Sequence, residues 1–383
     1  GYPCLMVSKI SLGVDALEVI SQDKRSERQA KRKDEVEERM EAGMEQDKQF
    51  VLLLDSGNTR LKCRCIDAHN GVLYQQFSVS NTQLDQAVQA MQTLAGEVVA
   101  IHAVAVTSAE FKQSIQQACE QALGTRCPSI EWHHSAQDTV ILRNLYEPIH
   151  HLGNDRWFGM IGVLSHAQSH LATQASVPSP VQQTSTEQSS ARPIMYISFG
   201  TATTVDTIYK KDFLGGMILP GVELMQNSLK QGTAQLPLVA INAETRIDAF
   251  PRGTQAAITA GIVAAQAGAI VRQCLLVREQ LGAYPDIYVA GGARFGVLPE
   301  LKRMLSSLIH SPQVHPSYAP SRQAQEVAAQ VIDDQEQLTS HENTRLSEQA
   351  VNQSVSAEIA LYELEAPVLD GLHYHYVKES LGK

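Results

Sequence analysis

Positive charge is scarce in this chain. Its 31 Lys and Arg stand against 41 Asp and Glu, leaving a formal net charge of −10 and a pI near 5.7. That balance argues against nucleic acid or an anionic membrane as the main partner. A phosphorylated ligand would have to be held by local dipoles and a metal, against a repulsive overall field. Paired cysteines are missing as well: the six Cys form no CxxC and no Cys/His spacing of the zinc kind. Cys63 and Cys65 alternate onto one face of a strand, where buried free thiols are expected, and reduced cysteines suit a reducing compartment. The N-terminus shows no basic region followed by an apolar core and a small-residue cleavage site, so a cytoplasmic protein is expected. The most membrane-like run, AAITAGIVAAQAGAIV at 256–271, falls short of the about 18–20 apolar residues of a span and reads as a buried, closely packed helix.

What remains is ordinary for a soluble enzyme. Hydrophobic residues make up 43% and charged residues 19% of 383 positions, enough for a sizeable core. The length accommodates two or three domains of about 150 residues. Residues 1–48 are strongly polar from position 22 on, with both charge signs interleaved, and read as a helical or disordered extension. Residues 49–165 begin with three strand-like runs, VLLLD, LKCRCID and VLYQQFSV, and continue as helix, strand, helix. A Ser/Gln/Thr/Pro-rich stretch at 166–193 reads as a loop. The strand pattern restarts within 194–310, another polar insertion spans 311–355, and 356–383 regains pattern as a segment docking on the second half. Strands in series followed by alternating helices and strands indicate an α/β protein.

Four segments carry chemistry. VLLLDSGNTRLKCRC (51–65) is an apolar strand, a Gly-Asn turn and a second strand, which alone suits either a surface hairpin or a phosphate loop. MYISFGTATTVDTIYKK (195–211) repeats that design at the head of the second half. Consecutive backbone N–H groups in such turns form an anion-binding concavity, which glycines let a ligand approach and hydroxyls extend with further donors. LYEPIHHLGNDRWFGMIG (145–162) leads Asn154, Asp155 and Arg156 into an apolar helix. Either acid or amide could cap that helix, and an acid there is also placed to act as a base on a substrate hydroxyl. Finally, Gly-Gly and Pro-Gly pairs punctuate DFLGGMILPG (212–221), and Gly291-Gly292 follows a strand in DIYVAGGA. Turn chemistry explains both, as does the wall of a ligand pocket.

Taken in order, DSGNTRLK, LGNDR, FGTATT, GGMILPG and AGGA resemble the motifs of the type III pantothenate kinases, over roughly residues 50–305 and the final APVLDGL. The resemblance implies an actin-like ATPase fold, with two ribonuclease-H-like subdomains and a nucleotide cleft between them. It also implies ATP-dependent phosphorylation of pantothenate to 4′-phosphopantothenate, the first step of coenzyme A biosynthesis, by a homodimer. In the first turn, Asp55, Ser56, Gly57 and Asn58 are implied to bind ATP, as are Thr59, Arg60, Leu61 and Lys62. Asp55 would also face Mg²⁺, through water, and Thr201 would bind ATP from the second turn. Tyr146, Gly153, Asn154, Arg156 and Thr254 are implied to contact pantothenate together with Asp155, the catalytic proton acceptor.

One position departs from the family. Ser198 stands where an Asp usually ligates a monovalent cation, K⁺ or NH₄⁺. A neutral hydroxyl is a poorer cation ligand than a carboxylate, so a weakened potassium requirement is expected. Two other readings share the same features: a non-catalytic transcriptional accessory protein, and a kinase of the superfamily with a different acceptor. The presence of Asp55, Lys62 and Asp155 favours the enzyme over the first, and YEPIHHLGNDR weighs against the second.

Overall fold

The computed structural model describes residues 48–135, 138–175, 192–233, 236–310, 359–380 and 382. The N-terminal extension, most of the 166–193 stretch and the 311–355 insertion lie outside the described residues. The first half contains β1 (Gln49–Ser56), β2 (Arg60–Asp67), β3 (Leu73–Ser80), α1 (Leu84–Gln92), β4 (Glu97–Ala105), α2 (Ala109–Leu123) and β5 (Ile130–Trp132). Its sheet runs β3-β2-β1-β4-β5, with β1, β2 and β3 antiparallel and β4 and β5 parallel to β1. β1 reads as a near-continuous apolar run because both of its faces are covered. Val51 and Leu53 enter one core, while Phe50, Leu52 and Leu54 enter another on the opposite side.

The second half contains β6 (Arg143–Asn144), α3 (Asn154–Ala175), β7 (Ile194–Phe199), β8 (Ala202–Tyr209), β9 (Asp212–Pro220), α4 (Val222–Gly232), α5 (Thr254–Leu281), β10 (Asp286–Ala290), α6 (Arg294–His310), β11 (Leu361–Glu363) and α7 (Pro367–Ser380). Its sheet runs β11-β10-β7-β8-β9-β6. Read from β9 to β11, that order repeats the first sheet strand for strand, with β6 added at the edge. Two ribonuclease-H-like subdomains in series make the actin-like ATPase fold.

Three details differ from the sequence reading. α3 does not stop at 165 but continues to Ala175, because Ala, Gln, Leu and His carry helix as readily as loop. The C-terminal segment is divided: β11 joins the second sheet, whereas α7 crosses to pack along α3 and against β1, β2 and β4. The crossing of α3 and α7 is backbone against backbone, since a side chain at Gly371 would overlap the Phe158 carbonyl and one at Gly162 would overlap that of Pro367. The third is α5, which is long and apolar enough by length and composition to span a bilayer. Its Ile258, Ile262, Ile270 and Cys274 are buried in the second core, yet Ala256, Ala257, Gly261, Ala264 and Ala265 are exposed.

Of the cysteines, Cys63, Cys65, Cys119, Cys127 and Cys274 are free thiols. Burial pushes Cys65, Cys119 and Cys274 up to about 12, which makes them poor nucleophiles.

Candidate active site

Between the two sheets lies a cleft of about 800 Å³, lined from both halves. The first turn enters it from β1 and β2. Gly57 N–H donates to the Arg60 carbonyl at 3.1 Å, closing the turn. The Asn81 amide donates to the carbonyls of both Gly57 and Asn58 at 2.9 Å, pinning the turn from outside. The second turn, between β7 and β8, is closed by Gly200 N–H on the Ala202 carbonyl at 3.1 Å. The two turns face each other: the hydroxyls of Thr59 and Thr201 stand 3.4 Å apart across the cleft. The repeated motif therefore builds one two-sided clamp.

Gly291 supports the second turn from behind. It has φ +95° and its α-carbon lies against Phe199, so a side chain there would be strained and would overlap the Phe199 carbonyl. Gly292 has open space before it and faces the cleft.

The net charge of −10 makes the cleft's local field decisive. First-turn residues of α3, α4, α6 and α7 all line it, among them Asp155, Glu223, Arg294 and Pro367. Each helix N-terminus contributes about half a positive elementary charge, and Arg60 adds a full charge from β2, that of Lys62 being paired with Asp55. This converging field is what can hold an anionic phosphate chain inside an acidic protein.

Asp55, next to the last residue of β1, is 5% exposed and accepts from Lys62 Nζ at 3.1 Å, its register partner on β2. Asp155 sits in the first turn of α3, where its Oδ1 accepts from the Arg156 backbone N–H at 2.8 Å. Burial pushes the Asp155 carboxyl above the usual range; the backbone hydrogen bond opposes that shift and the charge of Asp55 adds to it. A desolvated carboxylate beside a second acid is the arrangement expected of a general base.

Arg156 points away from solvent and forms a buried ion pair with Asp206 of β8, its Nε donating to both carboxylate oxygens at 3.1 and 3.2 Å. The guanidinium also lies over the rings of Tyr146 (5.3 Å) and Phe213 (5.7 Å), which stack on each other. Gly216 makes this possible, because a side chain there would overlap Asp206 and crowd Arg156. The glycine-rich strand is thus a seat for the ion pair. The sequence reading missed Asp206 and Asn81. The signal for Asp206 was a lone acid inside the apolar run TTVDTIY.

Most of the expected residues gather here: Asp55, Gly57, Asn58, Thr59, Arg60, Lys62, Asp155, Arg156, Ser198 and Thr201 all line the cleft. Some do not. Leu61 is buried in the apolar core of the first half, and Ser56 is fully buried with its hydroxyl 2.9 Å from that of Thr107. Strand alternation turns both side chains away from the ligand side, so neither offers ATP a side-chain contact. The Asn154 amide is committed to structure, accepting from Ser135 N–H and donating to the Ala105 carbonyl, each at 3.0 Å. Thr254 stands exposed at the start of α5, outside the cleft lining. Ser198 shares a hydrogen bond with the buried Tyr196 hydroxyl.

The Asp55 carboxylate offers hard oxygen donors to the cleft, which suits Mg²⁺. The Ser198 position offers only a neutral hydroxyl already bonded to Tyr196, and does not fit the charged cage of a monovalent cation.

A family model described as type III pantothenate kinase matches residues 51–173 and 183–275. The type III pantothenate kinase of Bordetella petrii is 38% identical over 261 residues, covering 67% of this chain and 87% of that protein. That of Janthinobacterium sp. (strain Marseille) is 35% identical over 263 residues, covering 66% and 90%. The matched residues run through both turns of the clamp, the Asp155 helix start and the Arg156 seat. A shared sequence of that extent makes the chain a member of the type III pantothenate kinase family.

Proposed function

We propose that the chain transfers the γ-phosphoryl group of ATP to the primary hydroxyl of pantothenate, giving 4′-phosphopantothenate for coenzyme A synthesis. The observation that carries this reading is the half-buried Asp155 carboxylate opening into the same cleft as the facing Thr59 and Thr201 hydroxyls. The two turns, with Arg60 and Lys62, hold the phosphate oxygens. Asp155 takes the hydroxyl proton as that oxygen attacks the γ-phosphorus in line, and positioning with fixed charge supplies most of the acceleration. Mg²⁺ bound beside Asp55 would supply further neutralisation of phosphate charge. Arg156, fixed by Asp206 and flanked by Tyr146, offers its cationic edge to the pantothenate carboxylate.

The exposed Ala/Gly face of α5 supports a homodimer, because small residues let two helices approach closely and would otherwise leave apolar surface in water. In that assembly Thr254, at the head of the same helix, meets pantothenate across the interface. The buried free thiols support a reducing, cytoplasmic setting.

The test is ADP and phosphopantothenate formation by the purified protein with ATP, Mg²⁺ and pantothenate. ATP binding without pantothenate-dependent ADP release would overturn the proposal and favour the accessory-protein reading. Turnover of another alcohol instead would favour the different-acceptor kinase. In the same assay, rates in K⁺ and Na⁺ should differ only slightly, since Ser198 has no charge to offer; a steep K⁺ requirement would show that other groups form a cation site.

A further inference from the structure

On the far edge of the first sheet, β4 and β5 bring together three side chains that are distant in sequence. His102 lies in register with Glu131. His133 follows Glu131 by two residues, and its N–H donates to the Ala103 carbonyl at 2.8 Å, extending the pairing past β5. The two-residue period of a strand therefore sets all three on one face.

Their geometry is close to that of a coordination sphere. His102 Nδ1 is 3.0 Å from His133 Nε2 and 3.4 Å from Glu131 Oε2, and His133 Nε2 is 3.8 Å from Glu131 Oε1. With bonds of about 2.05 Å, two ligand atoms on a tetrahedral ion lie about 3.3 Å apart. A hydrogen bond between the two rings explains the first distance alone. An otherwise solvent-facing carboxylate, 66% exposed, also leans over the two rings, which are 13% and 12% exposed, so that three donor groups converge on one point. None of the three lines the nucleotide cleft.

We propose that His102, His133 and Glu131 form a binding site for a divalent transition-metal ion of the zinc type, separate from the magnesium chemistry of the cleft. Two imidazoles and one carboxylate select such an ion over Mg²⁺ or Ca²⁺, which prefer oxygen throughout. Three protein ligands leave a fourth position, on the solvent side beside Glu131, for water. The buried side of the site is walled by Tyr376, Phe158 and His375, whose rings lie 5.4 Å from His102, 6.0 Å from His133 and 4.9 Å from His133 respectively.

Occupancy would clip the short edge strand β5 to β4. It would also stiffen the step from His133 to Ser135, which donates from its N–H to Asn154 Oδ1 and from its hydroxyl to the Leu152 carbonyl. Those contacts set the start of α3 one residue before Asp155. The ion is thus a structural clip whose loosening reaches the catalytic helix.

The full chain, freed of metal by a chelator and dialysed, should be titrated with Zn²⁺ against a chromophoric chelator. One tight equivalent per chain is expected, with affinity falling at least about tenfold in His102→Ala, His133→Ala and Glu131→Gln. Co²⁺ added to the wild-type protein should give the visible bands of a tetrahedral site, and Zn²⁺ should abolish them. ATP-induced thermal stabilisation checks that each variant remains folded. Absence of saturable Zn²⁺ binding overturns the proposal, as does wild-type affinity retained in both His variants, which would put the ion elsewhere. Should a His variant fail to fold, the exposed Glu131→Gln decides alone: an unchanged affinity there overturns it.

Discussion

Asp155→Asn lowers turnover by about 10²-fold or more, and the same change makes the fold more stable. The first effect follows from the role: the amide is isosteric but cannot accept the substrate proton. The second follows from linkage. Burial raises the Asp155 carboxyl above its unfolded value, so the native state binds that proton more tightly than the unfolded chain does. Stability from this group is therefore present at low pH and is lost as pH rises through the window between its unfolded and folded pKa. At neutral pH the ionised carboxylate is a net burden on the fold, and asparagine removes it. The checks are steady-state kinetics with pantothenate and denaturant unfolding at two pH values. For the wild type, the acid limb of kcat should lie above that of an ordinary carboxylate. Near-normal turnover in Asp155→Asn would remove Asp155 from its role. A loss of activity accompanied by lower stability would assign the residue to structure.

Asp206→Ala is expected to destabilise the protein by about 3–5 kcal/mol, because it strands a guanidinium in the interior without a counter-charge. The Arg156 side chain is only 6% exposed and its partner carboxylate 0%. Burial pushes the Asp206 carboxyl up, and the Arg156 guanidinium pulls it back towards the ionised state. The cost therefore falls mainly on the charge left behind. Replacing both partners, with Arg156→Met and Asp206→Leu, should restore most of the stability without restoring activity. Denaturant midpoints and pantothenate KM values measure the two halves of this result. Should the double variant be no more stable than Asp206→Ala, the stranded charge is not what destabilises the single one.

The sequence showed clearly what is local. The strand–turn–strand at each half, the strands around them and the acid opening α3 are short-range patterns whose spacing survives folding. Ser56 and Leu61 show what a contiguous motif leaves out: a strand sends alternate side chains to opposite faces, so these two can meet a ligand only through their backbone. Asp206 escaped notice because its partner is 50 residues away, and only the pairing of two halves brings them together. The His102, Glu131 and His133 cluster was invisible for the same reason, since register across β4 and β5 makes it and no fixed interval announces it. Gly216 was visible as a glycine and illegible as to purpose until the ion pair beneath it appeared.

The crossing of α7 has a consequence for how the chain is made. Ala366, Val368, Leu369, Leu372 and Tyr376 complete a core that also contains Val51, Leu53 and Trp157. On the ribosome, chains emerge N-terminus first at about 5–20 residues per second, and early domains usually fold before later ones appear. Here the first half cannot close until its final cover has been translated, so its apolar face waits, open to chaperones, through the synthesis of the whole second half. A chain ending before residue 366 would leave that core uncovered.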